Sequence, residues 1–158
     1  MPRLQFAAAL WVFALSPVWA ADVASPAPAG KSDNLAVARA QIAQKNWPAA
    51  MAEFKRVNDS GNADWNNLMG YSVRKSATPD YPAAENFYNE ALRLNPQHRG
   101  ALEYSGELYL ITNDLPKAEA RLAALDKACS LPCEEFTELK KSVARYKANG
   151  NKYVAAPW

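Results

Sequence analysis

One short block of sequence, present three times, decides the fold of this chain: WPAA at 47–50, YPAA at 81–84 and LPKA at 115–118. The three blocks are spaced 34 residues apart. Asn and Asp favour the start of a helix, and Pro is tolerated in the first helical turn because no N–H is needed there. The block therefore predicts the start of the same helix in three successive repeats. Each block directly follows such a residue: Asn46, Asp80 and Asp114.

Residues at helical spacing precede the second and third blocks, at 64–71 and 100–109, and predict a second helix in each repeat. Gly70 and Gly106 lie inside these helices. A Gly in a helix interior costs about 1 kcal/mol relative to Ala. We therefore expect each Gly to allow a close approach of the partner helix, opposite the small residues Ala84 and Ala118.

The repeat resembles the tetratricopeptide repeat (TPR) family, over about residues 33–130. The second repeat matches that family best, and the first is weakest, with Ala38 in place of the Gly and Gln41 in place of the Tyr. The third repeat has Leu125 where a small Ala is usual. The residues that carry the resemblance, which we expect to pack the repeats, are Trp65, Leu68, Gly70, Ala84, Tyr88, Ala91, Gly106, Tyr109, Ala118 and Leu122.

The resemblance implies an all-α fold: a right-handed α-solenoid of three antiparallel helix pairs, in repeats at about 32–62, 63–96 and 97–130. A last amphipathic helix, 134–148, is expected to cap the stack, because a terminal repeat needs its apolar face covered. In the family, the first helices line a concave groove that binds segments of other proteins. By position, the groove residues here are Arg39, Ile42, Asn67, Tyr71, Arg74, Lys75, Glu103, Glu107 and Leu110.

The two ends of the chain have a different composition from the repeats. Residues 1–20 are typical of a cleaved secretory signal, with Arg3 before an apolar run and small residues before the expected cleavage after Ala20. Residues 21–31 predict a flexible leader, and 149–158 a flexible tail. The expected location is the periplasm or the exterior of the cell. The run from His98 to Lys141 also resembles small secreted repeat proteins of Gram-negative bacteria.

Composition argues against several classes of function. The chain has 18 Lys and Arg against 16 Asp and Glu, so its net charge of +2 does not suit an electrostatic nucleic-acid binder. One histidine and two cysteines disfavour a zinc site of several protein ligands and most histidine-based catalysis. We expect no enzyme activity, no cofactor, no resident metal and no membrane span after signal cleavage.

Cys129 and Cys133 are the only thiols, and an even cysteine count in an exported chain favours a disulfide between them. Redox exchange and binding of a soft metal such as Cu(I) remain open alternatives for this pair.

The sequence thus predicts a non-enzymatic interaction module that binds a protein or peptide partner of the cell envelope in its groove. The alternative is a thiol- or copper-handling accessory factor that uses the two cysteines. Self-association of the repeat stack is a third possibility.

Overall fold

The computed structural model describes residues 33–131 and 133–154; the expected signal peptide and leader lie outside the described residues. No strand occurs in the described part of the chain, so the prediction of an all-α fold is confirmed. The helices there are α1 (Ala36–Ala43), α2 (Trp47–Val57), α3 (Ala63–Lys75), α4 (Tyr81–Leu94), α5 (Arg99–Ile111), α6 (Leu115–Ala128) and α7 (Glu134–Ala148).

The three repeated blocks start helices α2, α4 and α6, as the sequence predicts. In each, the preceding Asn or Asp accepts a hydrogen bond from a backbone N–H of the first turn. For example, Asp80 Oδ1 accepts from the Ala83 N–H at 2.9 Å, and Asp114 Oδ1 accepts from the Lys117 N–H at 3.2 Å. Such caps satisfy N–H groups that have no partner within the helix.

Consecutive helices pack in pairs, α1 with α2, α3 with α4 and α5 with α6. Neighbouring pairs meet through further contacts of α2 with α3, α4 with α5 and α3 with α5. Trp65 fixes one of these junctions, because its indole N–H donates to the Phe54 carbonyl oxygen at 2.9 Å in the buried core. Helix α7 packs against both α5 and α6.

The residues expected to pack the repeats lie in the core. Leu68 and Leu122 are partly buried against core clusters, and the other eight are buried. Around α7, Leu139, Val143 and Tyr146 are buried in one cluster with residues of α5 and α6. The apolar stripe of the last helix therefore covers the third helix pair.

The partners of the two helix glycines differ from our expectation. A Cβ atom on Gly106 would lie 2.5 Å from a methyl of Leu139, so this glycine makes room for α7 and not for Ala118. A Cβ on Gly70 would approach Phe87 and Tyr88 at 3.0–3.1 Å, not Ala84. The side chains nearest to a Cβ at each glycine are therefore large ones, and not the alanines that we expected.

The chain reverses direction after α7. Gly150 and Asn151 both have positive φ, and the Asn151 N–H donates to the Tyr146 carbonyl oxygen at 3.0 Å. This turn brings Tyr153, in the segment expected to be a flexible tail, into partly buried contact with the core.

None of the described helices has the length and apolar character that crossing a bilayer requires.

Replacing Gly106 by Leu tests the contact with Leu139. We expect Gly106→Leu to lower the free energy of unfolding by about 2–3 kcal/mol, because an overpacked core forces buried side chains from their places. Urea unfolding measures the change, with Gly61→Leu as the control, since a Cβ on Gly61 meets no atom within 4 Å. Adding Leu139→Ala should recover part of the loss; recovery by Ala118→Gly alone would contradict this packing.

Candidate functional site

Three cavities of the described chain are neighbours, because adjacent ones share a lining residue. The first, of about 310 Å³, is the lysine cavity, lined by Lys45, Trp47, Tyr71 and Lys75. The second, of about 370 Å³, is the acidic cavity, lined by Tyr71, Glu103, Tyr104, Glu107, Glu134, Glu135 and Glu138. The third, of about 310 Å³, is the polar cavity, lined by Asp64, Asn95, Gln97, His98, Arg99, Gly100 and Glu135. Tyr71 lines the first two cavities and Glu135 lines the last two.

Aromatic rings form the wall between the lysine and acidic cavities. The rings of Tyr71 and Tyr104 lie 4.6 Å apart, centroid to centroid, and the Trp47 ring meets Tyr71 edge-on at 5.7 Å. All three side chains are half-buried. Aromatic surfaces of this kind offer large contact area at a low cost in conformational entropy.

A buried ion pair lies behind the two tyrosines. The Arg74 guanidinium donates to a Glu107 carboxylate oxygen at 2.9 Å, and the two residues are only 4% and 5% exposed. The guanidinium carbon also lies 5.5 Å from the Tyr71 ring centroid and 5.6 Å from that of Tyr104. Removing one partner of such a pair leaves an uncompensated buried charge. The pair therefore holds α3 against α5 at the acidic cavity.

Glu103 lies in the acidic cavity with no ion pair or hydrogen bond from another described side chain. Burial, followed by the nearby charges of Glu107 and Glu135, raises its pKa from an ordinary value near 4.5 to about 8. Arg74 opposes this shift only in part. The cavity therefore changes its charge near neutral pH.

The lysine cavity has the opposite sign. Lys45 follows the end of α1, and Lys75 is the last residue of α3. Burial lowers the pKa of Lys75, and the positive charges of Arg74 and Lys45 add to this effect. The charge of Lys45 therefore acts on Lys75.

The polar cavity is organised by Asp64. One carboxylate oxygen of Asp64 accepts from Arg39 at 3.1 Å, and the other lies 2.9 Å from His98 Nε2. His98 Nδ1 accepts from the Ala101 N–H at 3.1 Å, so the imidazole caps the start of α5. Asp64 thereby links the edges of α1, α3 and α5.

Four of the groove residues expected from the sequence line these cavities: Tyr71, Lys75, Glu103 and Glu107. Arg39 is exposed and paired with Asp64 at the edge of the polar cavity. Asn67 and Arg74 are buried. Because the Arg74 guanidinium is paired with Glu107, the geometry does not provide a direct hydrogen bond from it to a ligand.

Among the groove residues expected from the sequence, Leu110 departs most clearly from the expectation. We expected it to face the groove, but it is 1% exposed and belongs to the core cluster that contains Leu125 and Leu139. Ile42 likewise packs against a core cluster, partly buried. We had extended the expected groove one helical turn too far along α5. Leu110 lies at a position that α7 covers.

Several lining residues were missed. Lys45 and Trp47 lie at the α1–α2 connection, and Tyr104 directly follows Glu103. Their closeness in sequence to expected groove residues and to a helix start is the signal that could have found them. Glu134 and Glu135 carry only the sequence signal of acidic residues in a first helical turn, and Glu138 was not singled out. Their place beside Glu103 depends on how α7 packs against α5, which the local sequence does not indicate.

The two cysteines form a disulfide, as expected, with their Cα atoms 5.9 Å apart. The bond joins the end of α6 to the start of α7. Within residues 33–131 and 133–154, no group of three or more His, Cys, Asp or Glu side chains is arranged to hold a metal ion.

No protein-family model matches this chain, and no curated protein sequence is significantly similar to it.

Replacing Glu107 by Leu tests the buried pair. We expect Glu107→Leu to lower the free energy of unfolding by about 3–5 kcal/mol, because Arg74 is left buried without its counter-charge. Replacing both residues, by Arg74→Met and Glu107→Leu, should recover most of the loss. Urea unfolding at neutral pH measures both effects. The control Glu90→Leu breaks an exposed pair with Arg93 and should cost no more than about 1 kcal/mol.

The raised pKa of Glu103 makes stability depend on pH. Below pH 4.5 the carboxyl is neutral in both states; between 4.5 and about 8 the unfolded chain releases the proton while the folded chain retains it. The contribution of Glu103 to stability is therefore lost as the pH rises to about 8. Thermal unfolding should show Glu103→Gln equal to the parent in acid and more stable above pH 8. Equal melting at every pH would contradict the buried, uncompensated carboxyl.

Proposed function

We propose that this protein is a non-enzymatic interaction module that binds an extended segment of another protein along the three neighbouring cavities. The observation that carries the proposal is their adjacency: Tyr71 and Glu135 are each shared by two cavities. A series of adjacent cavities with aromatic side chains between them suits an extended chain better than a compact small molecule.

In this proposal the helix pairs form a right-handed solenoid of tetratricopeptide type, with α7 as its cap. Support comes from the helix starts at Trp47, Tyr81 and Leu115 and from the contact between α3 and α5. The cavities draw most of their lining from α3, α5 and α7, the first helices of successive units. That placement is consistent with a groove on the inner side of a repeat stack.

We also propose that the protein works in the periplasm or outside the cell. The Cys129–Cys133 disulfide supports this location, because such bonds persist in oxidising compartments. The bond contributes a structural link between the last repeat helix and α7. This assignment takes precedence over a thiol- or copper-handling role for the same pair.

Site-specific photo-crosslinking tests the groove. Benzoylphenylalanine is placed at Tyr71 or Tyr104, where it preserves an aromatic side chain, and at the exposed Ala123 of α6 as the control. In cells that produce the protein, we expect a discrete crosslinked partner from positions 71 and 104 and none from 123. Equal adducts from all three positions, or adducts only from 123, would refute a binding groove at the cavities.

A further inference from the structure

The acidic cavity carries charge that its own residues do not balance. Glu107 is paired with Arg74, Glu135 with Arg99 at 3.7 Å and Glu138 with Lys141 at 2.8 Å. Glu103 and Glu134 have no ion pair with any described side chain. Tyr71 and Tyr104 line the same space. A carboxylate beside an aromatic face is the environment that an ammonium or guanidinium group prefers.

The lysine cavity next to it has the complementary character. Lys45 and Lys75 line this cavity with the rings of Trp47 and Tyr71, and none of the described residues in its lining is acidic. A carboxylate entering this space meets positive charge and apolar contact surface together. Because Tyr71 lines both cavities, one extended chain that crosses its ring reaches both.

We propose that the bound segment places a Lys or Arg side chain in the acidic cavity and an Asp or Glu side chain in the lysine cavity. This inference rests on the proposed function and adds the chemistry of the partner. The occupant is a protein segment with opposite charges on either side of Tyr71, since neither a free cation nor a free anion is complementary to both cavities.

Occupation of the acidic cavity is coupled to the proton on Glu103. The groups that face this carboxyl are Glu107 of its own helix, Glu134 and Glu135 of α7, and Arg74 of α3. A positive side chain favours the ionised carboxylate, so binding of the cation strengthens as the pH rises through about 8. Glu103→Gln removes this dependence.

Two small probes test the assignment: acetyl-arginine amide as the cation and acetyl-aspartate amide as the anion. Nuclear magnetic resonance titrations of the full chain should place the first at the amides around Glu103 and Tyr104, and the second at those around Lys45 and Trp47. Above pH 8, where Glu103 is ionised, Glu103→Gln should weaken only the cation by about threefold or more, and Lys45→Ala only the anion by a similar factor.

Acetylated peptide amides that contain both Asp and Arg, joined by spacers of increasing length, test whether one chain spans the cavities. We expect at least one spacer to bind more tightly than either probe alone, since the second contact becomes intramolecular. If no peptide binds more tightly than acetyl-arginine amide, the inferred segment with two opposite charges is wrong, and a free organic cation is the better occupant.

Other outcomes also separate the two proposals. Probes that bind without preference for either cavity, or that neither variant weakens, would overturn the charge assignment. The crosslinks from positions 71 and 104 do not depend on the charge of the partner. If positions 71 and 104 crosslink a partner while the probes show no charge preference, the proposed groove is retained and only the charge assignment is wrong.

Discussion

The pair between Arg74 and Glu107 is the interaction on which the rest of the site depends. It joins the last turn of α3 to the middle of α5 inside the protein. Two charges removed from water stabilise a structure only when they compensate each other closely. The spacing of the two helices is therefore restricted at this point, and the tyrosines that lie over the guanidinium are held in the positions from which they line the cavities.

The same pair explains the state of Glu103. Arg74 is the cation whose charge acts on Glu103, but its hydrogen bond goes to Glu107, one turn along α5. Glu103 is left in a half-buried space where Glu107, Glu135 and Glu134 add negative charge. A carboxyl in that position holds its proton near neutral pH first because burial disfavours its charged form, and then because ionisation would place a further negative charge there. A second, external cation is the species that would change this balance.

The sequence predicted the helix framework because the signals for it are local. These signals are helix caps such as Asp80, a Pro in the first turn and apolar residues at helical spacing. Each acts within a few residues, so it can be recognised from the sequence alone. The last helix at 134–148 follows from the same kind of signal, whereas the helix pairs are what the resemblance implied and the disulfide was expected from the even cysteine count. The all-α fold was accessible for this reason.

The site was only partly accessible because it depends on contacts between distant parts of the chain. Tyr71, Lys75, Glu103 and Glu107 could be placed by their positions along α3 and α5, but the burial of Leu110 and the space beside Gly106 are set by α7. A repeat pattern predicts which side chains a helix packs against the next copy of the repeat. Helix α7 is not such a copy, so the pattern does not predict its contacts.

That difference between α7 and a repeat helix has a chemical consequence. Helix α7 brings the side chains of Glu134, Glu135 and Glu138 to the cavity that α5 already lines with carboxylates. At the other side of Tyr71, the connection between α1 and α2 brings Lys45, and Trp47 is the first residue of α2. The repeat helices supply the aromatic centre together with Lys75, Glu103 and Glu107, whereas the non-repeated parts add Lys45 to one cavity and three glutamates to the other. In the proposed binding mode, the segments in which this chain departs from its own repeat therefore add to the selectivity for a partner.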